Sequence, residues 1–305
     1  MKHMTVGIFH ADGLGKELGK KGTESDIAFY NRKADDCVYT FMEPVGGKLI
    51  PKAEIMSAID AAVISFQSLT PEVGETVLML DSMGVRHGIV IVPDMVDLKQ
   101  VAALTKGTSL ESFSVKRMDT AAIMECLGKL DAARDAGASA LVSVDHAFSV
   151  RGVGEVALGF VVAGTVRKHA KLTLVPGDIE AIVRSIQMQD NDFDEALAGA
   201  RVGLALKGPT ADDMKRGSVL CSPGSVICAQ EVRIRFSKGK FYAGEAAGKC
   251  HVVAGMQSVP ALITVQGGEA VLVMEKPVTY RKDDTFLVLD LNAEKVHLMG
   301  TGKPV

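Results

Sequence analysis

The chain of 305 residues has no tryptophan, only four tyrosines and 5% aromatic residues overall. Surfaces that stack nucleic-acid bases need exposed rings, so base stacking is not suggested as the way this protein holds a partner. Cysteine is sparse as well. Cys37, Cys126, Cys221, Cys228 and Cys250 are scattered, without C-x-x-C pairs or nearby histidines. That spacing argues against a disulfide framework and against zinc, and no metal site is expected. Long apolar runs are missing: Ala61–Phe66 and Ile89–Val92 have strand length and fall far short of a membrane span. The opening segment MKHMTVGIF reaches an aspartate, Asp12, before a signal-peptide core develops. A cytoplasmic protein away from membranes is the expectation. No charge sign dominates either. A formal net charge of −3 gives no global basic field for nucleic acid; DNA is not expected as a partner, and RNA binding requires a local patch.

What is present is 47% hydrophobic and 23% charged residues, the composition of a folded chain long enough for two or three domains. Up to about residue 135, strand-like runs alternate with helical patterns. Thr5–Phe9, Asp36–Phe41, Ala61–Phe66 and Gly88–Val92 read as strands. One helix is expected from Pro71, carrying Val73, Val77, Leu78, Leu80 and Met83 until Gly84 ends it. Another is expected over Met118–Asp135, with Ile123, Leu127, Leu130 and Ala133 on one face. This alternation predicts a parallel sheet with helices on both faces. Residues 139–305 differ: short β-branched runs such as EVALGFVV, KLTLV, ALITV, AVLVM and TFLVLDL are separated by recurrent glycines, which predicts two small β-barrels. With SPG, residues 222–224, as the break between them, the expected domains are 1–138, 139–222 and 223–305. The 14 methionines are expected to fill core space.

Candidate chemistry begins at HADGLGKE, residues 10–17. A loop that cradles nucleotide phosphates runs G-x-x-x-x-G-K-[ST]. Its glycines let backbone N–H groups approach phosphate oxygens, its lysine meets the β and γ phosphates, and its hydroxyl holds Mg²⁺. Gly15 and Lys16 are in place, but His10 and Glu17 stand where the first glycine and the hydroxyl belong. A carboxylate at Glu17 repels the nucleotide. With Lys20 and Lys21 close behind, Lys16 is explained equally well by a solvated basic turn.

One stretch carries a stronger signal: VDHAFSVRGVGEVALGFVVAGTVRKHAKLTLVPGD, continued by RSIQMQDNDFDEALAGARVGLALKGPTADDMKRGSVL. It resembles the second domain of translation elongation factors of the EF-Tu type. Asp145 and Phe148 match D-x-x-F, and Gly152, Gly154, Val156, Gly159, Val161 and Gly164 follow in the family's order, as do Ala198–Gly203 and Arg216–Leu220. The wording SIQMQD and RVGLALKG is closer to the selenocysteine-specific factor SelB. EVRIRFSKGK, KPVTYRKDDTFLVLD and HLMGTGKPV resemble the last barrel of these factors. VGIFHADGLGKELGKKGTESDIAFYN and TPEVGETVLMLDSMGVRHGIVIV resemble their GTPase domain, and LGKKGTESDIAFYN looks particularly like a shortened archaeal SelB-like subgroup, EF-Pyl, with eroded nucleotide motifs. The implied architecture is an α/β P-loop GTPase-like domain followed by two all-β barrel domains, as in EF-Tu.

The resemblance also implies roles. The family's D-x-P-G-H becomes Glu43–Pro44–Val45–Gly46, with Gly47 in place of the histidine that positions water, so no catalytic residue is expected. Its N-K-x-D becomes Pro93, Asp94, Met95 and Val96, or, shifted by one residue, leaves Asp97 to pair guanine; a strand end followed by a helix start is the plainer account. SFSV, residues 112–115, is at most a trace of the S-A-K element. Gly15, Lys16, Glu43, Gly46 and Asp97 therefore form the remnant nucleotide site. No cofactor is expected, GTP and Mg²⁺ entering only if that site still functions. SelB-type factors form the pocket for the selenocysteine side chain from a D-H pair and an arginine, which match Asp145, His146 and Arg201; the alternative is an Asp–Arg brace between strands with a histidine at the rim. Arg233 and Arg235 alternate with Val232, Ile234 and Phe236, ahead of Lys238 and Lys240. They share a strand face that either contacts tRNA phosphates or is simply solvated. Three functions stay open: a SelB- or EF-Tu-like factor that binds tRNA or aminoacyl-tRNA with GTP binding and hydrolysis impaired or lost; a regulatory paralogue that docks on the ribosome or another translation factor without tRNA; and a conventional GTP-binding factor. A monomer with tRNA and ribosome as partners is expected.

Overall fold

The alternating runs at the front of the chain build a seven-stranded sheet in the computed structural model, which describes residues 2–131, 134 and 137–305. In chain order the elements are β1 (Lys2–Phe9), α1 (Leu14–Leu18), β2 (Lys20–Glu24), β3 (Ile27–Ala34), β4 (Cys37–Pro44), α2 (Leu49–Ala58), β5 (Ala61–Ser65), α3 (Pro71–Ser82), β6 (Gly88–Ile91), α4 (Leu98–Thr105), β7 (Ser114–Lys116) and α5 (Thr120–Gly128). The sheet order is β2-β3-β4-β1-β5-β6-β7. From β4 to β7 neighbours run parallel, and β2, β3 and β4 pair antiparallel at one edge. Inner strands such as β5 and β6 are buried along their whole length, as expected of parallel strands covered on both faces. Val6, Ile8, Phe41, Val63, Ile89 and Ile123 share one core.

Local chemistry sets the helix ends. Pro71 occupies the first turn of α3, where its missing N–H costs nothing, and Gly84 just beyond takes φ 69. α5 is shorter than the expected Met118–Asp135. The Asp119 carboxylate accepts from the N–H groups of Ala121 and Ala122 to start it, and it ends at Gly128; glycine is among the weakest helix formers. Ala133 and Asp135 lie outside the described residues. α1 spans only five residues, and the strand β2 that follows it has no signature in KKGTE, which is largely solvent-facing.

The next elements are β8 (Leu141–Val150), β9 (Gly154–Ala163), β10 (Thr165–Arg167), β11 (Lys171–Val175), β12 (Ile179–Met188), β13 (Asn191–Phe193), β14 (Glu195–Leu197), β15 (Arg201–Lys207) and β16 (Val219–Cys221). Their order β11-β16-β8-β9-β15-β12 is closed into a six-stranded barrel by pairing of β11 with β12. Gly159 shows why glycine recurs here. A Cβ at that position would fall 2.2 Å from the Ser143 carbonyl oxygen on β8, so only glycine permits this strand approach. Val144, Val161, Leu172, Val183, Leu204 and Leu220 fill the barrel.

A second six-stranded barrel, β17-β20-β19-β18-β21-β22, uses β17 (Ile227–Lys238), β18 (Gly248–Ala254), β19 (Gln257–Gln266), β20 (Glu269–Tyr280), β21 (Phe286–Leu289) and β22 (Leu298–Pro304). Residues 222–224 lie in the connection from β16 to β17, which runs over residues 222–226. By contact the chain divides into Met1–Ala133 with Lys238–Glu245 and Leu287–Thr301, and Arg134–Ser237 with Ala246–Phe286 and Gly302–Val305. Among the described residues no helix is long and apolar enough to cross a membrane.

Candidate functional site

β1 delivers the chain to the C-terminal edge of the sheet, the edge where open α/β sheets bind ligands. Residues 10–13 then turn it into α1, with φ 56 at His10 and φ 85 at Gly13. Histidine is among the side chains that tolerate this left-handed region. The turn points two N–H groups at the Glu43 carboxylate on β4. Gly13 N–H donates to Oε1 at 2.5 Å and Gly15 N–H to Oε2 at 3.1 Å. Gly15 has no space for a side chain, because a Cβ would lie 2.5 Å from the Tyr30 ring and 2.8 Å from Glu43 Oε2. Burial pushes the Glu43 carboxyl above the ordinary carboxylate range, against the pull of those two N–H groups. Of the five remnant-site residues, the structure brings Gly15 and Glu43 into contact. Lys16 is exposed on α1, and Gly46 lies in an exposed turn after β4 with φ 67.

The His10 ring is engaged elsewhere. Its Nε2 lies 2.8 Å from Thr76 Oγ1 on α3, and the Thr76 hydroxyl itself donates to the Glu72 carbonyl, which makes the imidazole N–H the donor. Burial first, then the nearby Lys52 ammonium, lower the imidazole pKa to about 4. Lys52, on α2, is itself buried, and burial pushes its ammonium down.

The far side of the sheet edge is organised for structure. The Asp97 carboxylate accepts from Lys99 N–H at 2.9 Å and caps α4. Arg117, in the loop after β7, donates to the carbonyls of Val92 and Pro93 and pairs with Asp94 at 3.2 Å. Met95, which core filling would have buried, is 96% exposed, and Leu98, Val115 and Met118 are exposed near it in sequence or at the next strand end. Ser114–Lys116 is strand, so most of the SFSV segment belongs to β7 and not to the loop beyond it.

In the first barrel the β8–β9 register slips between Val144 and His146, which makes Asp145 the extra residue of a bulge. Its carboxylate meets the Arg201 guanidinium of β15 at 3.1 Å, with side-chain exposures of 5% and 11% respectively. Arg201 also lies over the Phe160 ring, 4.9 Å from its centroid. His146, the next residue, is exposed and tilts against Phe148 with ring centroids 5.8 Å apart. Two members of the expected trio are thus joined and buried, and the third faces solvent. On β17 both Arg233 and Arg235 are exposed, and Arg233 reaches Glu269 across the strand pair at 3.6 Å. Sequence reading did not single out Tyr30, Thr76 or Arg117. Each acts on a residue distant in the chain, and none occupies a position that a nucleotide motif specifies.

The profile of elongation factor Tu domain 2 matches residues 154–221. The chain is 38% identical over 309 residues to the uncharacterized protein MJ0325 of Methanocaldococcus jannaschii, covering 99% of this chain and 100% of that one. The selenocysteine-specific elongation factor of the same organism is 26% identical over 292 residues, which is 86% of this chain and 62% of that factor. Among solved structures, translation elongation factor SelB from Methanococcus maripaludis, in complex with the GTP analogue GppNHp, gives a TM-score of 0.84 at 22% identity, covering 100% of this chain and 79% of that one. A bacterial selenocysteine-specific factor, EF-Sec, gives 0.81 at 20% identity over 99% of this chain and 58% of its own. These two likenesses bear on the fold: a parallel-sheet α/β domain followed by two six-stranded β-barrels.

Proposed function

Since the chain belongs to the SelB/EF-Tu-like family of translation elongation factors, we propose that it binds tRNA or aminoacyl-tRNA without a working GTP switch. The observation that carries this reading is the Glu43 carboxylate seated on the N–H groups of Gly13 and Gly15. A nucleotide phosphate entering that cradle competes with the Glu43 carboxyl for the same two N–H groups and, against its ionised form, meets a like charge. At 4 Å and an effective dielectric near 20, two unit charges repel by about 4 kcal/mol. The metal that offsets such repulsion in a phosphate loop lacks its hydroxyl ligand, because Glu17 stands there. Asp97, the last candidate for reading guanine, directs its carboxylate to the start of α4.

Support for the tRNA side comes from the family and from the residues at the barrel positions. Asp145 and Arg201 hold each other, and His146 presents its ring to solvent. Arg233 and Arg235 add an exposed basic pair that suits phosphate contacts. In this reading the ribosome is the further partner and the cytoplasm the location. Two measurements test it. Titration of a fluorescent GTP analogue with Mg²⁺ is expected to show no saturation; submicromolar binding that depends on Lys16 overturns the loss of the switch. Filter binding is expected to retain bulk aminoacyl-tRNA and to lose it partly on His146→Ala. Unchanged retention removes the pocket.

A second reading, a regulatory paralogue that docks on the ribosome or another factor without tRNA, is favoured by one feature. Met95 and Met118 in the loops after β6 and β7, Leu98 at the start of α4 and Val115 on β7 are exposed and offer apolar surface to a partner. Its signature is absent tRNA retention together with ribosome association that Met95→Asp abolishes.

A further inference from the structure

Glu43 does more than obstruct a nucleotide. We propose that its carboxylate is the permanent internal ligand of the loop at residues 10–15, a substitute for an external phosphate that keeps the loop folded with nothing bound. The inference rests on the reading that no nucleotide occupies this cradle. Its basis is an account of backbone donors. Leu14 N–H donates to Ala11 O and Lys16 N–H to Gly13 O, both at 3.1 Å. The N–H groups that alternate with these, on Gly13 and Gly15, both go to Glu43. α1 is a single short helix with no side-chain cap at Gly13, so without Glu43 those donors are left without an internal acceptor. Gly15 is buried, and a buried amide in that state is strongly disfavoured, whereas Gly13 is exposed and its N–H can turn to water.

Three features fit the carboxylate to its place. Glu43 pairs with Ala28 in the β3–β4 register, so its backbone is held by the sheet and not by the loop it serves. The Tyr30 ring packs against Gly15 at the one position where any side chain would collide with ring and carboxylate together. The chain leaves α1 at once through Gly19, whose N–H donates to Gly15 O, and enters β2, which clamps the loop from its far end. Dependence on an anion has therefore moved inside the chain.

Glu43→Ala should expose that dependence. Its melting midpoint is expected about 5 °C below wild type. Added acetate or inorganic phosphate, with ionic strength matched by chloride, should restore at least half of the loss saturably, and the wild-type midpoint should not respond. A variant as stable as wild type, or one without anion-specific recovery, overturns the proposal. Should Glu43→Ala not fold, amide exchange in the wild-type protein decides: Gly13 and Gly15 are expected to exchange at least tenfold more slowly than the exposed Gly46 and Gly47, and equal rates overturn the proposal. Saturable GTP binding to the wild type defeats the functional reading itself. Absent GTP binding combined with absent rescue defeats only this inference.

Discussion

Glu43 and Asp145 are both buried carboxylates on strands, and they meet their partners in opposite ways. Glu43 rests on two backbone N–H groups of a loop, neutral donors that leave its charge in place; its pKa is accordingly raised by burial. Asp145 meets a guanidinium that is buried with it and stacked over Phe160. The first arrangement resembles a bound ligand, since the donors belong to one segment and the acceptor to another that is independently held. The second joins two charges of opposite sign on two strands of the first barrel, β8 and β15. A loop that has lost a ligand can be satisfied by one side chain, whereas a buried ion pair tolerates no partial loss.

That contrast predicts a ranking of effects. Arg201→Ala should be the most damaging change, costing about 3–5 kcal/mol in urea denaturation, because it strands a buried Asp145 charge. The double variant Asp145→Leu, Arg201→Met should recover most of it. A single variant milder than Glu43→Ala would break the comparison.

The second effect is on pH dependence. Folding lowers the His10 pKa from 6.5 to about 4, so between those values the unfolded chain binds the extra proton and the folded chain does not. This contribution is complete above pH 6.5 and is lost as the pH falls toward 4; because the ring is part-exposed and solvent screens it, its size is well below the roughly 3 kcal/mol of an unscreened shift. The raised carboxyl of Glu43 acts with the opposite sign, favouring the fold below the ordinary carboxylate range and weakening it as the pH rises. Comparing denaturation midpoints of wild type and His10→Asn from pH 7 to 4 separates the two, since asparagine tolerates the left-handed backbone at this position. A variant with the same pH slope as wild type contradicts the assignment.

Gly15→Ala comes next, with an expected loss of about 1–3 kcal/mol from collision with Tyr30 and Glu43, read by thermal melting. The smallest effect on stability, within about 0.5 kcal/mol, is expected for Arg233→Ala with Arg235→Ala on the exposed face of β17. If those arginines touch tRNA, the salt dependence of filter binding should flatten by about one to two units of slope. A slope equal to wild type assigns them to a solvated face.

Much of the architecture was legible because its signals are local. Pro71 and Gly84 bracket α3, the runs KLTLV and GIVI coincide with β11 and β6, and period-two alternation correctly turned Arg233 and Arg235 outward on β17. Reading failed where a segment's state depends on a distant neighbour. KKGTE has no alternation and becomes a strand only because β3 offers it an edge. Met95 carries an apolar side chain yet lies exposed in a loop. α5 stops at Gly128 although the apolar spacing runs on to Leu130.

The candidate site divides in the same way. Residue order and the resemblance it carries were enough to name Gly15, Lys16 and Glu43 as candidates for a phosphate cradle and Asp145, His146 and Arg201 as candidates for a pocket. That Glu43 itself fills the cradle required β1 to lie beside β4, bringing residues 28 and 30 positions apart into hydrogen-bond range. That Asp145 turns toward Arg201 while His146 turns to solvent required a bulge in β8. Sequence determined which chemical groups the protein carries and in what order. Only the strand pairing decided which of them meet, because hydrogen bonds and ion pairs act over a few ångströms of space, whatever the distance along the chain.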